Sequence, residues 1–355
     1  MFMFKSSRQN IRRQDPCCLC KAEKGNIVGK VNFIGLNHYT NVQCPKCGLI
    51  SFDPIPEVKT TADGCSLLYQ IQQSKEPSAK IIRGFKRSYR RGSYFARRYL
   101  TKTIEMSKES EFNILEVGAG DGYFSQGIRK IYPKAKITYV DIVADLISHY
   151  KKYFDCEAYE GELKQNIIPG VKKFDLIVMR DLLEHVRDPF SFLNDIRYFL
   201  NPEGHIFFIT PNGLEDFWPC HQRFINNGED EHLIYLNHFH YYLPKTLDEL
   251  LAKCGFEKKI FFKFGLKRHR QGWGVKDFIS FPIQTPPTLD DAYKTTPLAT
   301  YWKHNPLKVF NSYLHGRGPI ARGYSFFADR EKDKVDYYDR KGHEFFVLAK
   351  KMTMS

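Results

Sequence analysis

The chain has 355 residues, 42% of them apolar, enough for one large or two modest domains with a substantial core. No apolar run approaches the ~18 residues a membrane-spanning helix needs, and the first residues, with Lys5, Arg8, Arg12 and Arg13, lack the apolar stretch of a secretory signal, so a soluble cytoplasmic protein is expected. The formal charge of +14 lies unevenly: residues 1–111 hold 20 Lys+Arg against 9 Asp+Glu and the rest hold 34 against 31, which points to an anionic partner such as nucleic acid, an anionic membrane surface or a phosphorylated small molecule.

Nine cysteines in a chain without a signal peptide read as a metal site plus core thiols rather than as disulfides. Cys17-x-x-Cys20 and Cys44-x-x-Cys47 are separated by 23 residues. Each C-x-x-C turn presents two thiolates to one tetrahedral ion, and two such turns complete a zinc site. Cys18, next to Cys17, is a candidate substitute ligand. A closed four-cysteine site has no position for water, so the expected zinc is structural, and its binding would stabilise a segment too short and polar for a core of its own, residues 1–66.

Residues 49–66, with Pro54, Pro56, Asp63 and Gly64, read as a turn-rich linker. Residues 67–111 follow as a basic helical lid or linker; within them, residues 72–102 carry ten Lys+Arg against one acid, Glu76. Ile81, Ile82, Phe85 and Tyr89 form one apolar helical stripe, and beyond Gly92 the residues Tyr94, Phe95 and Tyr99 suggest a second. Basic side chains between aromatics suit a nucleic-acid backbone with stacked bases, a lid that holds substrate phosphates, or a solvated helix face over a packed one.

From Phe112 strands and helices alternate. Ile114–Val117 reads as a strand that ends in a tight turn at Gly118 and Gly120, where glycine permits positive φ and close approach to a ligand. Phe124, Ile128, Ile131 and Tyr132 then recur at helical spacing. Ile137–Val140 is the second strand and ends at Asp141, where an acid on ribose hydroxyls is expected. Cys156–Tyr159, Phe174–Met179 and His205–Thr210 are further strands; Asp188-Pro189 opens a helix with Phe192, Ile196, Phe199 and Leu200 inward, and Asn201-Pro202-Glu203-Gly204 is a turn. This alternation predicts a parallel sheet covered by helices on both faces, with ligands beyond the carboxyl ends of the strands.

The set Glu116-x-Gly118-x-Gly120-x-Gly122 followed by Asp141 resembles the first two motifs of class I S-adenosylmethionine-dependent methyltransferases. A dinucleotide fingerprint fits poorly, because its third small residue would fall on Tyr123. Asp181-Leu182-Leu183-Glu184-His185-Val186-x-Asp188-Pro189, with Asn201-Pro202-x-Gly204 and Thr210-Pro211-Asn212, extends the resemblance to small-molecule and sugar methyltransferases. With a four-cysteine segment ahead of the domain, the chain is similar to sugar C-methyltransferases and their relatives from deoxysugar and surface-polysaccharide pathways. The resemblance covers about residues 17–262 and the last strand, Glu344–Ala349. It implies an α/β fold with a Rossmann-like seven-stranded methyltransferase sheet over residues 112–265 and 343–352. Residues 266–342 would be a long insertion or cap before the last strand, rich in aromatic and basic side chains.

The resemblance also implies residue roles. Gly118, Ala119 and Gly120 would line the methionyl part of S-adenosyl-L-methionine, with Glu116 close by; Asp141, with Ile142 beside it, would take the ribose. Glu162, after the third strand, would reach the adenine edge, and Arg180, after the fourth, would border the cofactor with its backbone. Methyl transfer to a hydroxyl or an acidic C–H needs proton removal, and candidate bases cluster after the fifth strand at His221, His232, His238 and His240, with Tyr235, Tyr241 and Tyr242 among them. Sugar C-methyltransferases place Tyr-x-Glu-His here. In this chain Tyr235 and His238 match, and Asn237 replaces the glutamate, which puts enolisation of a keto sugar in doubt and leaves O-methylation open. His238 is the leading base and His240 its rival; His185, just past the fourth strand, would line the pocket or serve a structural role at the start of a helix. The expected function is S-adenosylmethionine-dependent methylation of a small anionic acceptor, a nucleotide-linked or phosphorylated sugar, at oxygen or carbon, in surface-polysaccharide or secondary-metabolite synthesis. The alternatives are an RNA methyltransferase that binds through the basic N-terminal half, and a non-catalytic binding protein that keeps the fold.

Overall fold

A computed structural model describes residues 10–33, 37–55, 79–104, 107, 109–170, 172–213, 216–217, 221, 238–264 and 344–352. Its strands are β1 (Asn10–Arg12), β2 (Lys24–Phe33), β3 (Asn37–Gln43), β4 (Ile50–Asp53), β5 (Phe112–Val117), β6 (Ala135–Asp141), β7 (Glu157–Glu160), β8 (Phe174–Arg180), β9 (Leu200–Pro211), β10 (His240–Tyr241), β11 (Phe256–Phe264) and β12 (Glu344–Lys351). The helices are α1 (Ala79–Phe95), α2 (Tyr123–Arg129), α3 (Ala144–Tyr153), α4 (Pro189–Phe199) and α5 (Pro244–Lys253).

The larger sheet has seven strands in the order β11-β12-β9-β8-β5-β6-β7. β5 to β9 are parallel, and β12 runs against both of its neighbours. Its strands are apolar on both faces, as the continuous runs require. Phe112, Ile114, Leu176, Val178 and Phe207 meet α1, α2 and α3 on one face, whereas Leu115, Val117, Ile177, Met179 and Phe208 meet α4, α5 and the cysteine turns on the other. β5 sits where the strand order reverses, with β6 on one side and β8 on the other. Ligands in open α/β sheets bind beyond the carboxyl ends at that place.

Three local outcomes differ from the sequence reading. Asn201–Gly204 lies within β9, yet Phe174 pairs with Leu200 and Leu176 with His205, so the expected turn survives as a bulge. The two stripes around Gly92 belong to one helix that continues into a π turn at Ala96–Leu100. Gly92 is a packing residue there: a Cβ on it would stand 1.9 Å from the Phe124 carbonyl oxygen, and one on Gly127 2.1 Å from that of Tyr89. The two glycines let α1 and α2 touch backbone to backbone, and Ser93 Oγ donates to the Gly127 carbonyl at 2.9 Å. Finally, residues within the proposed linker 49–66 form β4, while 56–78 lie outside the described residues.

The smaller sheet is antiparallel, in the order β1-β2-β3-β4-β10. Its last strand comes from far along the chain: His240 pairs with Ser51 and Tyr241 with Ile50. The N-terminal segment is thereby locked to the loop that precedes α5, and Lys253 Nζ adds a bond to the Leu19 carbonyl at 2.7 Å. Among the described residues no helix is long and apolar enough to cross a membrane. Residues 266–342, expected from the sequence to be an insertion or cap, lie outside the described residues.

Candidate active site

The turn after β5 is built on positive φ angles at Gly118 (62°), Gly120 (59°) and Gly122 (71°). Gly118 N–H donates to the Val140 carbonyl at 2.9 Å, which ties the turn to β6. Among the described residues a Cβ on Gly120 would meet nothing within 4 Å, so the loop faces space that they leave open. Ala119 between them is buried.

The underside of the loop is braced by charge. Glu116 is fully buried, accepts the Ser125 N–H at 3.2 Å and pairs with Arg180 Nε at 3.3 Å. Burial pushes its carboxyl up to about 7, against the opposing pull of Arg180 and the Ser125 N–H. The Arg180 guanidinium also reaches the Ala119 carbonyl at 3.4 Å and covers the Phe124 ring at 4.6 Å. Both side chains therefore face the protein and hold the loop in shape.

Asp141 ends β6 beside this loop. One oxygen accepts the Val143 N–H at 3.1 Å, and the other accepts the Tyr150 hydroxyl at 3.3 Å. Tyr150 Oη also lies 3.1 Å from the Gly120 carbonyl, so it couples the acid to the turn. Burial raises the Asp141 carboxyl above the ordinary aspartate range, opposed by the Val143 N–H and Tyr150. Ile142 is half-buried, and Glu162 is exposed on the loop after β7.

A second cluster lies past the end of β8. A short turn, Leu183–His185, carries Glu184 and His185, and the Phe239 N–H donates to the Glu184 carbonyl at 2.8 Å, which brings His238 to the same place. The His185 and His238 ring centroids are 4.9 Å apart. His238 Nδ1 lies 2.7 Å from Asp216 Oδ2. Burial alone would depress the His238 pKa, but the Asp216 charge and hydrogen bond outweigh it and, with Glu184 and Asp181, hold it above the ordinary histidine value. Glu184 is buried and accepts the Thr210 hydroxyl at 2.8 Å; burial pushes its carboxyl up to about 8, with His238 opposing.

The other candidate bases stand elsewhere. His240 is buried within β10, its Nε2 meets the Arg187 carbonyl at 3.2 Å, and burial pushes it down to about 4. His221 Nδ1 meets the Val28 carbonyl at 2.8 Å, and Tyr242 donates to the Leu183 carbonyl at 3.2 Å. Tyr235 and His232 lie outside the described residues. Asp216 and Tyr150 were not singled out by the sequence, and Thr210 entered only as part of the Thr210-Pro211-Asn212 stretch, with no role of its own. Glu184 was visible next to His185 but carried no assigned role.

The cysteine turns match each other. Lys21 N–H donates to the Cys17 carbonyl at 2.8 Å and Gly48 N–H to that of Cys44 at 2.9 Å, with Lys21 (φ 59°) and Gly48 (φ 88°) both left-handed. Cys17 and Cys47 sulfurs are 3.6 Å apart, Cys20 and Cys44 sulfurs 3.4 Å, and all four lie within 4.8 Å of one another. Four thiolates at ~2.3 Å from one zinc would stand about 3.8 Å apart, so the donor set fits that ion closely. Cys18 stands outside the cluster.

A sheet with one reversed strand near its edge, a glycine turn after its central strand and an acid at the end of the next define a Rossmann-like methyltransferase fold. Residues 87–259 match the family model described as "Methyltransferase domain", and this part of the chain is a methyltransferase domain. Similar proteins include the ubiquinone biosynthesis O-methyltransferase of Actinobacillus pleuropneumoniae serotype 7 (strain AP76), 29% identical over 108 residues, or 28% of this chain and 45% of that protein. The malonyl-acyl-carrier-protein O-methyltransferase 2 of Ilyobacter polytropus is 32% identical over 109 residues, or 30% of this chain and 42% of that protein. The matched region thus spans less than half the length of either relative. Among solved structures, the plantazolicin methyltransferase BpumL in complex with SAH aligns with a TM-score of 0.43 at 14% identity, over 83% of this chain and 99% of that one.

Proposed function

We propose that the protein is an S-adenosylmethionine-dependent methyltransferase of a small anionic acceptor, a nucleotide-linked or phosphorylated sugar, with a structural zinc in its N-terminal segment. The observation that carries the reading is the open space at Gly120 beside the Asp141 carboxylate, at the strand-order reversal. Gly118 to Gly120 would hold the methionyl part, Asp141 the ribose hydroxyls, and Ile142 and Glu162 the adenine side. Glu116 and Arg180 would act by fixing the loop. S-adenosylmethionine, when bound, supplies an electrophilic methyl carbon. The acceptor gives up a proton, and Glu184, His185 and His238 are the titratable groups assigned to that side of the site. Cys17, Cys20, Cys44 and Cys47 would hold the zinc, which keeps β4 in place to receive β10 and so fixes the strand next to His238.

The basic helix supports an anionic acceptor. Arg90, Arg91, Arg97 and Arg98 are exposed, and the charge of Arg91 acts on Asp181 at the end of β8. The same exposed cations favour RNA as a second acceptor. The discriminating experiment is transfer of labelled methyl from S-adenosylmethionine into an extract of the source cell, counted before and after nuclease digestion and size fractionation. Label in a small, nuclease-resistant, sugar-containing fraction is expected. Label in a large nuclease-sensitive fraction would replace the sugar with RNA.

A further inference from the structure

We propose that Glu184, His185 and His238 form a second metal site, separate from the four cysteines, that holds one first-row divalent cation against an oxygen of the acceptor. One ligand atom from each of the three residues lies within 4.8 Å of the other two. Glu184 Oε1 and His185 Nε2 are 3.8 Å apart, a spacing that two bonds of about 2.1 Å to one ion can span.

Two further observations point to a ligand. Glu184 is 1% exposed, and while its Oε2 takes the Thr210 hydroxyl, its Oε1 accepts no hydrogen bond among the described residues. A buried carboxylate oxygen left unmet is costly, and a cation would meet it. His238 is also held as metal-binding histidines are: its Nδ1 meets the Asp216 carboxylate at 2.7 Å, a contact that orients the ring.

The donor set decides the class of ion. Two imidazoles and one carboxylate suit manganese, iron or zinc better than the all-oxygen sites of calcium or magnesium. Three protein ligands leave positions open, unlike the closed cysteine site. This deepens the methyltransferase reading and rests on it. An acceptor hydroxyl on the ion becomes more acidic, loses its proton to water, and its oxygen forms the bond to the methyl carbon while the carbon–sulfur bond breaks with its electron pair left on sulfur. His238 serves as a ligand in this arrangement, and the acceptor is methylated at oxygen.

The test is titration of the full-length, zinc-loaded protein with Mn2+, read by the loss of the free-ion electron paramagnetic resonance signal, with S-adenosylhomocysteine binding measured in parallel. One Mn2+ per chain is expected. Glu184→Gln and His185→Ala should each weaken it by about tenfold or more while zinc content and S-adenosylhomocysteine binding persist. No bound Mn2+ in the wild-type protein, or unchanged affinity in both variants, overturns the proposal. Should either variant fail to fold, broadening of the wild-type His185 and His238 imidazole resonances by Mn2+ decides, and its absence overturns the proposal. S-adenosylhomocysteine binding without Mn2+ would sink this site alone, whereas Mn2+ binding without S-adenosylhomocysteine would sink the methyltransferase reading.

Discussion

Asp141→Ala removes both acceptor oxygens from the end of β6. The Val143 N–H (3.1 Å) and the Tyr150 hydroxyl (3.3 Å) each occupy one of them, and the N–H groups of Gly120 and Ile142 add weaker attraction. A carboxylate has about four lone-pair sites, so capacity remains for the ribose. A hydrogen bond to a charged group is worth about 1.5–3 kcal/mol, and part is offset because the free site is hydrated, so the expected loss is ~1–3 kcal/mol, or about 5- to 150-fold in Kd. Asp141→Asn keeps one acceptor oxygen and should fall between. The pH dependence provides a second check: the carboxylate is the form that accepts the hydroxyls, and burial raises its pKa, so affinity should fall on acidification at a higher pH than an ordinary aspartate would give. Asp141→Asn should lack that limb. The assay is calorimetry with S-adenosylhomocysteine, with thermal unfolding as the control for folding. Unchanged affinity in a folded Asp141→Ala protein would remove Asp141 from the site.

Cys44→Ser should release the zinc and loosen β4 and β10; a variant that keeps one zinc per chain by metal analysis would mean that Cys18 or another group substitutes. Gly92→Ala should destabilise the fold by ~1–3 kcal/mol despite its better helix propensity, because its Cβ would stand 1.9 Å from the Phe124 carbonyl; an equal or higher melting temperature would contradict the backbone contact between α1 and α2. His240 is held at about 4, below its ordinary 6.5, so the unfolded chain takes up a proton that the folded one refuses between those values. Its contribution to stability is full above 6.5 and is lost as the pH falls through 4, about 3 kcal/mol at most, and urea titrations of wild type and His240→Asn at pH 7 and 5 should show a smaller drop in the variant. His238→Ala should lower turnover and spare cofactor affinity, and full turnover would remove His238 from the acceptor side of the site.

Most of the larger sheet was legible because both of its faces are buried: Leu176–Met179 and Phe345–Ala349 are continuous apolar runs that no exposed strand would carry. Gly118, Gly120 and Asp141 were legible because their spacing follows from the strand–turn–helix geometry itself. What escaped depends on contacts between distant segments. Nothing near Gly92 announces that its neighbour is Gly127, and a continuous helix needs no break there. Likewise, Asp216 shows its role only through its 2.7 Å contact with His238. Tyr150 was not singled out, since its hydroxyl contacts the loop only after α3 folds back. His240 stood as a rival to His238 because two residues of separation cannot say which of them enters a strand and loses its access.

The most direct measurement is equilibrium binding of S-adenosylmethionine to the full-length protein beside Gly120→Val. Among the described residues a Cβ at this position meets nothing within 4 Å, so the valine methyl groups would enter the space assigned to the cofactor, and its φ of 59° disfavours any side chain. One cofactor per wild-type chain, and none on a variant that still holds its zinc and unfolds cooperatively, is the expected result. No binding by the wild type, or equal binding by both, would contradict it.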